Sequence, residues 1–509
     1  MRRFQEIGVA LLLVGFSHQA GAQSFNRRYD PAYTNGGGST AWSVEILNDG
    51  NYAVIGNGAF SDSLFYSSIV RYLVIDATGE LLSESIAYDT VHATYPGWSN
   101  STHKRLDGGL VTGGNLFRAD SLGNWISRAA LFMGSAAGQF DSIHVLGPDN
   151  QSWIGRQAKQ TPDGGYVICG ETSAVGNALQ AFVIKTDAQG NEEWTQTYGG
   201  QWNDFAMAID RHEGTNYYMG GQRFIGSNKQ LWVQCIDDTG GVAWSKVWGS
   251  AFGEPNAHLT LASDGHPLVA SSWGSAANDR GRKYLAKLDS ANGNVLWEKQ
   301  YGLTCACPFF VVQEVVPGGD LIAAGQDVIV NEYYGVLLRT TSTGDSLWLR
   351  QYQYHDSLVS NGRGLFRDVV PTPDGGFVAV GTALQAGPYT QDVWVVKTDS
   401  MGCLEPGCHL IQGMQTQITN LRGALTVAPN PVAQGGSVQV HLQLPESFVA
   451  QGALRLTVVS SDGRMVQEEN LPSGVSSFSF QLSSFPSGLY HLHLSDASRW
   501  ISGAKLVVE

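Results

Sequence analysis

The chain has 509 residues, of which 62 are glycine, 43% are hydrophobic and only 15% are charged. That length leaves room for two or three domains with sizeable cores, and the glycine excess suits many tight turns. Acidic residues outnumber Lys and Arg by 45 to 31, and the resulting formal net charge of −14 opposes association with nucleic-acid phosphates or anionic membranes.

Residues 1–22 read as an export signal. Met1-Arg2-Arg3 is a positive start, Ile7 to Phe16 is an apolar run too short to span a bilayer, and Ala20-Gly21-Ala22 is a small-residue cleavage site. Cleavage between Ala22 and Gln23 places the mature chain outside the cytoplasm, with no transmembrane segment expected in it.

Residues 23–410 are organised by an internal repeat. Its clearest copy opens Thr161-Pro162-Asp163-Gly164-Gly165-Tyr166-Val167-Ile168, continues to Ala181-Phe182-Val183-Ile184-Lys185-Thr186-Asp187, turns at Gly190 and ends Trp194-Thr195-Gln196-Thr197-Tyr198. The opening turn recurs at Asp49-Gly50, Asp107-Gly108, Glu213-Gly214, Asp264-Gly265, Pro317-Gly318 and Asp374-Gly375, which makes seven units spaced by roughly 54 residues. Runs rich in Val, Ile, Tyr and Trp between glycine turns predict four antiparallel strands per unit. The expected fold is all-β, a seven-bladed β-propeller of four-stranded blades.

The seventh unit stops after its third strand, Asp392 to Asp399. Phe25-Asn26-Arg27-Arg28-Tyr29 has the aromatic spacing of the fourth strands at Trp194/Tyr198, Trp244/Trp248, Trp297/Tyr301 and Trp348/Tyr352. This N-terminal strand is therefore predicted to close the last blade and remove an open seam. Trp194, Trp244, Trp297 and Trp348 each follow a turn glycine by four residues, and repetition at equivalent positions argues for packing between blades. Units one and two depart from the pattern: Trp125 lies two residues past Gly123, and no tryptophan follows Gly79.

The Asp-x-x-x-Gly-x-x-x-Trp run of Asp289 to Trp297 resembles the docking repeat of quinoprotein-like and WD40-like propellers. The resemblance is local and implies structure rather than redox chemistry, because no Cys-x-x-Cys-His haem motif or acidic ligand cluster accompanies it. No cofactor and no metal site is expected. Among six cysteines, Cys403 and Cys408 bracket a turn-rich loop and are the disulfide candidates. Cys305-Ala306-Cys307 can bond only as a small strained ring, and Cys169 and Cys235 lie in apolar strand patterns as buried free thiols.

The Asp-Gly turns and the Gly190-type turns share one end of the blades. The opposite end collects loops that are long and all different, which is where recognition usually sits on a rigid scaffold. Trp98, Trp153, Trp202 and Trp273 fall in these loops and offer flat surfaces to sugar rings or peptides. Asp279, Arg280 and Arg282 accompany Trp273, and His355, Asp356 and Arg363 cluster in another loop. No nucleophile, base and orienting partner can be assigned. Binding of a glycan or protein ligand by a monomer is the leading expectation. The alternative is a secreted polysaccharide or peptide hydrolase or lyase with its site in the funnel.

A polar connector at residues 411–424 leads to a different pattern over residues 425–509. Leu425-Thr426-Val427-Ala428-Pro429-Asn430-Pro431, the Asp462-Gly463 turn, Gly488-Leu489-Tyr490 and Lys505-Leu506 stand in order along alternating strands. These motifs resemble the type A C-terminal sorting domain of the type IX (Por) secretion system. The resemblance implies a small immunoglobulin-like β-sandwich of about seven strands. It also implies the type IX machinery as partner and delivery to the surface or exterior of a Gram-negative bacterium.

Overall fold

The computed structural model describes residues 24–29, 38–61, 66–89, 91–119, 125–148, 151–173, 178–211, 216–274, 281–302, 307–329, 332–355, 363–384, 391–405, 408, 417–421, 423–445, 448–450, 452–461, 464–472, 474–482, 485–496 and 499–509. The export signal with Ala22 and Gln23 therefore lies outside the described residues, as do Asp279, Arg280, Asp356, Asp462 and Gly463. So do the side chains of His355 and Arg363.

The described chain is all-β and is built largely from antiparallel four-stranded meanders, in the manner of a β-propeller. Sheet A comprises Ser39–Ile46, Tyr52–Ser61, Tyr66–Ile75 and Leu81–Ala87. Sheet B has a broken first strand, Ala93–Pro96 and Thr102–Lys104, followed by Leu110–Ala119, Trp125–Gly134 and Phe140–Leu146. Sheet C is Trp153–Gln160, Tyr166–Thr172, Gln180–Thr186 and Glu192–Tyr198. Sheet D is Asp204–Arg211, Tyr217–Ile225, Asn228–Ile236 and Val242–Trp248. Sheet E is His258–Leu261, Pro267–Trp273, Arg282–Leu288 and Val295–Tyr301. Sheet F holds Phe309–Glu314, Leu321–Ile329, Glu332–Thr340 and Ser346–His355. Sheet G is Arg363–Pro371, Phe377–Leu384 and Gln391–Thr398, with Phe25–Tyr29 as its outer strand in the register Phe25↔Lys397 to Tyr29↔Val393.

The strands form where apolar and β-branched residues run between turns that demand a left-handed backbone. Gly164 has φ +86°, and Asp163 Oδ1 accepts the Gly165 N–H at 3.1 Å to hold the turn. Apolar clusters then join neighbouring sheets from A through G. A further cluster of Phe25, Tyr29, Val44, Val54, Val380 and Val395 joins G back to A. The first strands are laced as well: the Val44 N–H donates to Asp368 at 3.0 Å, Thr102 N–H to Ser43 at 3.2 Å, Ile209 N–H to Gln157 at 2.6 Å and Leu261 N–H to Asp210 at 2.9 Å.

The outer strands carry a repeated tie that accounts for the Gly–Trp–Tyr spacing. Tyr198, Tyr301 and Tyr352 each donate their hydroxyl to the carbonyl of the next unit's turn glycine, Gly240, Gly344 and Gly402, at 2.9, 2.6 and 2.7 Å. The faces of those glycines lie against Trp194, Trp297 and Trp348. Tyr29 makes the same bond to Gly79 at 2.7 Å, so the N-terminal strand seals sheet G to sheet A by the device used elsewhere. Within sheet G, Trp394 donates to Asn26 Oδ1 at 2.6 Å, and Asn26 donates onward to the Gln353 carbonyl at 3.0 Å.

Unit two differs from its sequence expectation. Trp125 opens the third strand rather than belonging to a fourth, and the stretch from Gly134 to Trp153 contains the fourth strand Phe140–Leu146. The long hairpin of Leu110–Ala119 and Trp125–Gly134 displaces the later strand downstream. Cys403 and Cys408 form a disulfide, Cys307 is also disulfide-bonded, and Cys169 and Cys235 are buried free thiols.

The C-terminal region packs the three-stranded sheet Leu425–Ala428, Ser437–Leu442 and Ser477–Gln481 against Leu454–Ser460, Met465–Leu471, Gly488–Ser495 and Arg499–Val508. The expected connector is not wholly irregular. Gln417–Leu421 forms a strand that pairs in parallel with Ser346–His355 of sheet F on one side and with Arg499–Val508 on the other. Among the described residues no helix is long and apolar enough to cross a membrane.

Candidate functional site

A recurrent irregularity of the first strands positions the site. The ladder skips one residue between Ala41 and Ser43, Gly155 and Gln157, Ala206 and Ala208, Phe309 and Val311, and Phe366 and Asp368. The residues left out are Trp42, Arg156, Met207, Phe310 and Arg367. A bulge of this kind re-aims a side chain without abandoning the sheet. In sheet B the same place is taken by residues 97–101, which interrupt the first strand and carry Trp98 and the left-handed Asn100, φ +56°.

Of these side chains, Arg156, Trp98, Trp42, Arg367 and Phe310 form a continuous collar. Trp42 and Trp98 stack with ring centres 6.5 Å apart and planes at 13°. The Arg156 guanidinium lies 4.2 Å from the Trp98 ring centre, and Arg367 lies 4.7 Å from Trp42 and 4.5 Å from Phe310. Phe310 meets the His258 ring edge to face at 5.8 Å. Cations over indole faces are attracted by the ring quadrupole. Arg156 is further fixed by a two-pronged pair with Glu171, one arm being Nε to Oε2 at 3.0 Å. Trp42 Nε1 donates to Asn57 Oδ1 at 2.6 Å.

The collar forms part of the wall of a cleft of about 970 Å³ at the variable-loop end of sheets A, B and C. Trp42, Trp98, Tyr95, Phe117 and Trp125 supply its aromatic wall, and Asn57, Asn115 and Gln391 its amides. Tyr95 and Phe117 pack edge to face at 5.3 Å. Trp98 is 40% exposed and Trp125 71%, so the cleft gathers large apolar surfaces that a folded chain ordinarily hides. Deeper in, residues such as Asn100, Gln157, His258 and Phe310 close around a small void.

The expected site residues fare unevenly. Trp98 lines the cleft. Trp153 does not present a face: it opens a strand and is buried edge to face against Phe182 at 4.9 Å. Trp273 ends a strand and stacks on Tyr284 at 5.0 Å, beside the exposed strand residue Arg282. Trp202 is 46% exposed but lies in the loop between sheets C and D, outside the cleft lining. His355 ends a strand of sheet F and Arg363 begins one of sheet G.

The sequence does not mark Trp42, Tyr95, Arg118, Trp125, Arg156 or Arg367 as site residues. One signal was available: Trp42, Arg156, Phe310 and Arg367 each stand eight residues ahead of a turn glycine, Gly50, Gly164, Gly318 and Gly375.

The C-terminal motif residues converge on the last strand. Asn430, between Pro429 and Pro431, donates to the Lys505 carbonyl at 2.7 Å and accepts the Val507 N–H at 2.9 Å. This extends the pairing of the final strand through a side chain. Gly488 and Leu489 start the neighbouring strand, the Tyr490 hydroxyl donates to the Pro486 carbonyl at 2.7 Å, and Leu506 is buried.

No curated protein matches the chain. Similar solved structures include a protein of unknown function from Dyadobacter fermentans DSM 18053, 9% identical over 74% of this chain and 98% of that one, TM-score 0.43. The Dos1 propeller is 11% identical over 74% and 95%, TM-score 0.40. An alpha-L-arabinanase of Penicillium chrysogenum complexed with arabinobiose is 10% identical over 74% and 98%, TM-score 0.40. Residues 426–509 match the family model of the secretion system C-terminal sorting domain. The C-terminal region is thus a type IX secretion sorting domain, and the chain that carries it is exported to the cell surface or the extracellular space.

Proposed function

We propose that the exported chain is a monomeric, non-catalytic glycan-binding protein whose residues 23–410 form a seven-bladed propeller. In this reading Phe25–Tyr29 completes the last blade, and residues 425–509 form an immunoglobulin-like sandwich that serves export. The observation that carries it is the open cleft walled by the near-parallel Trp42 and Trp98 rings. The indole surface they leave exposed, with that of Trp125, suits the apolar faces of sugar rings, while Asn57, Asn115 and Gln391 suit hydroxyl groups. A glycosidase working in this cleft would need paired carboxyl groups at the ligand, and no Asp or Glu stands among the described residues lining it.

The test is titration of the full exported chain against an oligosaccharide array. Trp42→Ala and Trp98→Ala are each expected to weaken the best ligand by about tenfold or more, from the loss of stacking and buried area. Trp202→Ala is expected to leave it unchanged. Equal affinity in all three variants, or turnover of the bound sugar, overturns the proposal.

A further inference from the structure

Charge in the cleft runs against the charge of the chain. The protein carries 14 more acidic than basic residues, yet the charged residues lining the cleft are Arg118 and Arg156. Arg156 is neutralised by Glu171. Arg118, on the strand Leu110–Ala119 beside Trp125, has no carboxylate partner among the described residues. A second, independent observation lies behind Trp42. The Arg367 guanidinium is clamped between the Trp42 and Phe310 rings, and its Nε is buried without a hydrogen-bond partner. It too has no acid partner among the described residues. Burial lowers its pKa to about 10, which leaves it cationic at neutral pH.

A half-buried cation held between two rings, with no acid partner among the described residues, keeps its field locally uncancelled. Arg367 therefore raises the potential on the cleft side of Trp42, and Arg118 supplies hydrogen-bond donors within the cleft itself. The acidic remainder of the surface does not cancel this, because exposed charges beyond about 8 Å are largely screened at physiological salt.

We propose that the ligand of the cleft is an acidic glycan, with sugar rings on Trp42 and Trp98 and a carboxylate held by Arg118 in the field of Arg367. This rests on the glycan reading above and adds the charge of the ligand. The probes are a short uronic-acid oligosaccharide and its carboxyl-reduced neutral counterpart, each titrated into the full chain at two salt concentrations.

The acidic form is expected to bind about tenfold tighter, the size of one charge-assisted hydrogen-bonded contact, with the advantage shrinking at high salt. Arg118→Gln is expected to abolish the difference by weakening the acidic form far more than the neutral one, and Arg118→Lys to restore part of it. Equal affinity of wild type for both forms overturns the charge assignment and leaves glycan binding standing, as does equal loss of both in Arg118→Gln. Failure of both forms to bind overturns the glycan reading and this inference together.

Discussion

Below the aromatic collar, individual side chains are set by burial rather than by ligand chemistry. Burial, reinforced by Asp368, pushes the Glu45 carboxyl up to about 8, and burial raises Asp368 to about 7. His103, 3.6 Å from Glu45, is held well below its usual value by burial. Asp368 has a structural task, accepting Val44 N–H and Ser43 Oγ–H on one oxygen and Val369 N–H on the other. In the unfolded chain these carboxyls ionise near 4.5 and 3.8. Between those values and 7 to 8 the folded state holds protons that the unfolded state has released. Their contribution to stability is complete below the unfolded values and is lost as pH rises through the folded ones. Glu45→Gln is accordingly expected to raise the Tm at about pH 9 and to leave it nearly unchanged at about pH 5. Thermal unfolding across that range is the check, and an equal shift at both ends contradicts it.

At the scale of elements, stability rests on a contact repeated between sheets: a turn glycine from one lies on the tryptophan of the one before. Two glycines separate the backbone requirement from the packing. Gly344 has φ +79° and an added Cβ meets the Trp297 ring at 2.9 Å, whereas Gly375 has φ +82° and meets nothing within 4 Å. Both alanine variants should lose about 1–2 kcal/mol to the left-handed backbone. Gly344→Ala should lose measurably more, because the indole has to move. Denaturant unfolding of the two variants is the measurement, and equal losses would show the Trp–Gly contact to be slack. This recurrence is also why the scaffold was legible: the same physical tie returns as Gly190/Trp194/Tyr198, Gly293/Trp297/Tyr301 and Gly344/Trp348/Tyr352. The cleft was not, because it exists where sheets A and B depart from the repeat. Trp98 stood out as a loop aromatic. Trp42, Arg156 and Arg367 read as ordinary strand residues, since a one-residue bulge leaves no mark in composition. Trp153 misled for the opposite reason, as an irregular approach concealed the start of a buried strand.

At the scale of the whole molecule, the sorting domain is not a pendant tag. The strand Gln417–Leu421 continues sheet F into the C-terminal sheet, so Ser346–His355 is no longer a free edge open to stray pairing. Trp500, 2% exposed, shares one apolar cluster with Trp348, Tyr352, Phe377, Cys403 and Cys408, and donates to His493 Nδ1 at 2.9 Å. His491 adds a contact to Glu405, within the disulfide loop, at 3.7 Å. A side chain of this size joins the two units through packing that neither replaces alone, and its removal leaves a cavity worth about 3–5 kcal/mol. That loss falls on the junction rather than on either core, since the sorting domain keeps its own cluster around Leu456, Val458, Leu492 and Leu494. Scanning calorimetry of the full chain is therefore expected to show one cooperative transition in the wild type. In Trp500→Ala a smaller transition, that of the sorting domain, should separate at lower temperature. Two separate transitions in the wild type, unmoved by the substitution, would mean that the continuous sheet carries no cooperativity between export domain and propeller.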